Sequence, residues 1–304
     1  MGLRSSIAIV RSTALEILSE PLTLLVLLAA LALSVLAPTF HYHQFGDPTR
    51  MARDAGFSAL FTCGSVIAVF GTIRSFRREI ESGTLEMALS HPVSRTGFFL
   101  SKAVGSLFAY LGFVTIVFFT TAVMFDGALL GGLAAAQTGD IARIFGPCLV
   151  GGVAIIVLPL VIAAVLNRFA GRPFVKSAIF GALLLAAVVK IVMVGLFGLQ
   201  LLRTVLRLLP VAALLVFPAA VLTSAAASAA VWLRANAAAA VVGVVFLLSV
   251  PMIGNYYLAD ALSRAEGLPW SYVLMAAAVT LPAVVAFLIV GVHLINGRDI
   301  QWTT

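Results

Sequence analysis

Apolar runs long enough to cross a lipid bilayer divide this sequence from one end to the other, at 21–37, 56–73, 99–124, 144–166, 174–198, 209–233, 236–254 and 271–295. A helix needs about 20 such residues to span a hydrocarbon core of ~30 Å. Only 10% of the 304 residues are charged and 62% are hydrophobic, whereas a soluble domain carries about 25% charged residues. So few charges cannot dress a water-facing surface of this size, so the outer surface must meet lipid. The pattern predicts an all-α, polytopic transmembrane helical bundle forming one domain over 1–304. Eight spans are expected. The breaks at Arg203 and Arg207 and at Arg234 are brief, so a six-span version with part of 199–254 re-entrant or interfacial also fits. Both counts put the two termini on one side.

Lys and Arg concentrate in cytoplasmic loops. With a cytoplasmic N-terminus, the inner segments hold Arg4, Arg11, Arg74, Arg77, Arg78, Arg95, Lys102, Arg168, Arg172, Lys176, Arg234 and Arg298. The outer segments then hold only Arg50, Arg53, Arg143, Arg203, Arg207 and Arg264. N- and C-termini are therefore predicted to be cytoplasmic. The net charge of +7 is spread through these short gaps rather than gathered in a patch, which argues for membrane topology and against nucleic acid. Cys63 and Cys148 both lie inside apolar runs without a CxxC pair, as buried thiols would.

The approach to the first apolar run contains Glu16 and Glu20, which favours a retained span over a cleaved signal. Within residues 3–18, Leu3, Ile7, Val10, Ala14 and Ile17 recur at three- and four-residue spacing and share one helical face. Such a helix suits the membrane surface or a partner's surface.

The longest polar stretch runs from Arg74 to about Phe98, RSFRREIESGTLEMALSHPVSRTGF. Arg74, Arg77 and Arg78 suit anionic lipid headgroups, and Glu79 and Glu81 follow at once. Ser82 or Thr84 can cap a new helix start. Leu85, Ala88 and Leu89 then fall on one face, and Pro92 ends the element. A helix of two turns is not stable alone, so a partner or the bundle must hold it.

At this stretch the chain resembles the ABC-2 type permeases, the membrane subunits of one class of ATP-binding-cassette transporters. The resemblance rests on EIESGTLEMALSHPVSRTGFFLSKAVG, with Glu79, Glu81, Ser82, Gly83, Thr84, Leu85, Glu86, Pro92, Val93, Ser94, Arg95 and Lys102 in the family's order. The helix at 3–18 is similar to the family's elbow helix, and the closing GRDIQW to its short charged tail. The motif covers about a tenth of the chain, and many relatives have six spans rather than eight. The resemblance implies that residues 82–90 are a coupling helix docking on a separate ATPase subunit through Glu79, Glu81, Ser82, Gly83, Thr84, Leu85, Glu86, Ala88, Leu89, Pro92 and Arg95. It also implies a second permease copy or homologue in a dimer, a bacterial cytoplasmic (inner) membrane location, and export as the direction of transport.

No GxxxxGK[ST] phosphate loop occurs, so ATP and Mg would be bound by partner subunits. No spacing points to catalysis or a resident metal; this chain is not expected to be an enzyme or to hold a cofactor. His41 and His43 lack an evident third ligand. Lys190 stands mid-span, where a charge costs about 2.5–3.5 kcal/mol on insertion scales. No acidic residue falls inside the runs as bounded above. Lys190 is expected either to face a pathway for an anionic or polar substrate or to snorkel from a misframed helix. The Ala/Ser-rich stretch 219–240 suits close helix packing within the chain or a dimer seam. Asp260, Arg264 and Glu266 mark an outer segment, 255–270, whose role the sequence leaves open. The alternative to a transporter subunit is a non-transporting or mechanotransmitting module that anchors an assembly or cofactor-maturation machine. A secondary carrier would need repeats and intramembrane acids, and the runs show neither. The substrate is not legible.

Overall fold

The computed structural model describes residues 3–37, 48–81, 94–138, 142–234, 236–243 and 269–297, and every element among them is helical. In order they are α1 (Leu3–Leu18), α2 (Pro21–Leu36), α3 (Pro48–Val66), a π-helical stretch (Ile67–Gly71), α4 (Thr72–Glu81), α5 (Arg95–Thr138), α6 (Ala142–Ala170), α7 (Phe174–Phe197), α8 (Gln200–Trp232) and α9 (Trp270–Asn296). Residues 236–243 are helical as well. Among the described residues, six helices are long and apolar enough to cross a membrane, and the bent pair α1 and α2 allows a seventh. The seventh predicted run, 236–254, lies largely outside the described residues. The chain is thus an all-α, multi-pass membrane bundle.

Two helices form the centre. About two thirds of the apolar window is buried within the chain in both the α3–α4 rod and α5 (67% each), against 22% for α6, 28% for α7 and 11% for α9. The last three present Val150, Val161, Leu184, Ile191, Leu274 and Ile289 outward, the face that lipid requires in place of water. Small residues set the close approaches: there is no room for a side chain at Gly56 against Thr121, or at Gly291 against Phe99 and Ser228. Ser228 Oγ also donates to the Phe287 carbonyl across the α8–α9 seam at 2.5 Å. Ala226, Ala227 and Ala230 are wholly buried there, so this part of the Ala/Ser-rich stretch packs within the chain.

α1 ends at a 64° bend into α2. Pro21 starts α2, where its fixed φ fits the first helical turn, while Thr23 Oγ1 donates back to the Ile17 carbonyl at 2.7 Å. The apolar face predicted for α1 is divided in use: Ile17 is buried against the bundle, while Ile7 stays exposed. The turns after α6 and α7 rest on the positive φ of Gly171 and Gly198, a region costly for residues with a Cβ. The division expected near Arg203 and Arg207 falls earlier, at Gly198, and both arginines belong to the first turns of α8.

Candidate functional site

α5 carries a buried ion pair near each of its ends. It begins at Arg95, where Ser94 Oγ accepts the Gly97 backbone N–H at 3.1 Å as an N-cap. Two turns on, Lys102 has no solvent exposure. Its Nζ lies 2.6 Å from Glu79 Oε1, and 5.5 and 5.8 Å from the ring centres of Phe76 and Phe98. The aromatic faces give a buried ammonium further electrostatic support.

α4 carries the remaining charges of this end. Arg77 pairs with Glu81 at 3.1 Å, Arg74 with Glu20 at 3.2 Å, and Arg78 with Glu16 at 3.7 Å. Ser75 Oγ donates to Glu16 Oε2 at 3.2 Å. Glu16 and Glu20, at the end of α1 and the start of the bend, therefore tie the surface helix to α4. Burial raises the Glu20 carboxyl above its ordinary range, with Arg74 pulling the other way.

Of the residues expected to dock an ATPase subunit, Glu79 turns into the bundle towards Lys102, while Glu81 remains exposed beside Arg77. Arg95 sits partly exposed in the first turn of α5. Ser82, Gly83, Thr84, Leu85, Glu86, Ala88, Leu89 and Pro92 lie outside the described residues. So do His41, His43, the 255–268 portion of the outer segment and the GRDIQW tail beyond Gly297.

The other end of α5 corrects one expectation. The apolar run ending at 124 leaves Asp126 outside the membrane, but the helix continues to Thr138. Asp126 is fully buried, and its Oδ2 pairs directly with Lys190 Nζ of α7. Thr204 of α8 is buried beside the same carboxylate. Cys148 of α6 is buried near both charges. Four helices thus meet at one polar cluster, sealed by Val123, Met193 and Leu201. The residues that sequence reasoning missed are Asp126 and Thr204. The available signal was Lys190 itself, a buried cation that demands a partner.

Among the described residues, no group of three or more His, Cys, Asp or Glu side chains could hold a metal ion.

Similarity supports the same reading. No curated protein and no solved structure matches the chain. A family model described as ABC-2 family transporter protein matches residues 28–171, from within α2 to the end of α6 and so across both partners of the Glu79–Lys102 pair. Over that stretch, a little under half of the chain, the protein is similar to ABC-2 family transporter proteins.

Proposed function

We propose that this chain is an ABC-2 type membrane permease driven by separate ATPase subunits, which bind ATP and Mg and dock beneath residues 82–90, and that it works as an exporter. Two permease chains, identical or related, would line the pathway in a bacterial cytoplasmic membrane. The observation that carries this reading is the Glu79–Lys102 pair. It fastens the helix entering the docking segment to the helix leaving it, so a push on the segment moves both together. α4 is also tied to α1 through Glu16 and Glu20, which extends the moving unit to the membrane surface.

A ligand or partner shifts a conformational equilibrium only by its differential affinity for the two states. Docked ATPase subunits must therefore hold this segment differently when closed on nucleotide and when open. α5 conveys the difference. From Lys102 to Asp126 it extends about 36 Å at 1.5 Å per residue, more than the hydrocarbon thickness. Lys190 lies where that helix meets the far side of the pathway.

Exchange of Leu85 and Leu89 for glutamate tests the docking role. The folded membrane domain should be retained while co-purification with the ATPase subunit is lost. Undiminished co-purification and nucleotide-driven activity would rule it out.

A further inference from the structure

We propose that Asp126 and Lys190 form the outer gate of the transport path: an ion pair closed in this conformation and parted by water when the path opens outward. The inference rests on the transporter reading above and assigns one step of its cycle to two residues. Four observations lead to it. The pair joins α5 to α7, and Cys148 of α6 and Leu201 of α8 pack with Val123 and Met193 beside it, so four helices meet at one site. By the positive-inside assignment it lies in the outer half of the bundle, opposite the end that holds Glu79 and Lys102. Exposure is 0% for Asp126 and 3% for Lys190, so nothing aqueous reaches it here. Finally, the apolar seal beside it is small, with Val123, Cys148, Met193 and Leu201 as its buried members.

A buried ion pair is a poor permanent staple. Desolvation offsets much of its attraction, and well-packed apolar residues in its place are often as stabilising or more so. Its advantage appears on opening. Separated charges regain hydration, which lowers the free energy of the open state relative to what an apolar contact would allow. A charged pair therefore holds four helices in register when dry and releases them when wet. An apolar pair would hold them and resist release. Asp126 and Lys190 act as positioning residues on the helices they join.

Cys148 supplies a native reporter. The sequence has two cysteines, so Cys63→Ala leaves Cys148 as the single thiol, buried beside the gate. The permease with its co-purified ATPase subunit is reconstituted in liposomes, and a membrane-impermeant methanethiosulfonate is applied to the outer face. ATP turnover should accelerate labelling of Cys148 at least tenfold. Asp126→Leu with Lys190→Met should fold and support ATP hydrolysis yet show no acceleration. The swapped pair, Asp126→Lys with Lys190→Asp, should recover it. Equal acceleration in the parent and the apolar double variant overturns the gate, as does labelling in the parent that ignores ongoing ATP hydrolysis. If no ATPase subunit associates with the parent protein, the transporter reading fails and the gate with it. That outcome is told apart by the absence of any hydrolysis to couple.

Discussion

Lys102, with no solvent exposure, holds Glu79 at 2.6 Å across the chain segment that separates α4 from α5. The two partners are not equivalent, because 29% of the Glu79 side chain remains exposed. Glu79→Gln strands a wholly buried ammonium and should destabilise the protein by about 3–5 kcal/mol, the usual effect of orphaning a buried charge. Lys102→Met leaves the Glu79 charge on a partly exposed side chain, and the methionine keeps its place over Phe76 and Phe98. It should lose less than half as much. Thermal unfolding of both variants in lipid nanodiscs measures the difference; equal losses would contradict the asymmetry.

The seating of α1 on α5 gives a second contrast. A Cβ at Gly105 would stand 2.8 Å from the Val10 carbonyl oxygen and 2.8 Å from Thr13 Cβ. The backbone oxygen cannot swing aside, so Gly105→Ala should cost about 1–3 kcal/mol by overpacking. Gly112 faces Leu18 at an ordinary 3.5 Å. Gly112→Ala should therefore be neutral, or stabilising by up to about 1 kcal/mol through helix propensity. Denaturant titration of the two variants side by side provides the measurement.

Glu20 offers a prediction with a definite sign. Its folded-state pKa is raised from 4.5, first by burial, with Arg74 opposing. The folded protein thus binds this proton more tightly than the unfolded chain does. The resulting stability is fully present below pH 4.5 and is lost as pH rises through the folded pKa. At neutral pH the charged carboxylate is the less favourable form, and Glu20→Gln should leave the melting temperature unchanged or raise it. The gain should shrink as the pH is lowered. A fall in melting temperature at neutral pH would show that the Arg74 contact outweighs burial.

The exposed ion pairs invite the opposite expectation to the buried one. Arg78 is 69% exposed where it meets Glu16, so Arg78→Ala should change stability by under about 1 kcal/mol. Unfolding measured at low and high salt checks it, since the small contribution should vanish when screened.

The membrane class, the α1 boundaries and the α6 to α7 spans were legible because they depend on local composition and periodicity. Leu3–Leu18 and Phe174–Phe197 fall within a residue or so of the expected bounds. Asp126 was not legible, because hydropathy treats a buried charge as a boundary. What keeps it in the bundle is a lysine 64 residues away, and no window along the chain sees that pairing. The inward turn of Glu79 escaped for a similar reason. Its neighbours Arg77, Arg78 and Glu81 read as one solvated polar stretch, while the helix sends Glu79 alone towards Lys102. The start of α8 moved to Gln200 because Arg203 and Arg207 look like a loop in sequence yet continue a helix whose outer turns reach the interface.

The π-helical stretch Ile67–Gly71 interrupts an otherwise continuous rod immediately before the charged helix α4. A single-turn π-bulge holds one residue more than an α-helix would place there. Tightening that turn to α geometry would screw everything beyond it by about 100° and draw it along the axis by about 1.5 Å. Arg74, Arg77 and Glu79 ride on that thread. A single backbone hydrogen-bond shift, deep in the apolar layer, is thereby geared to which charges point at the elbow and which point at the core.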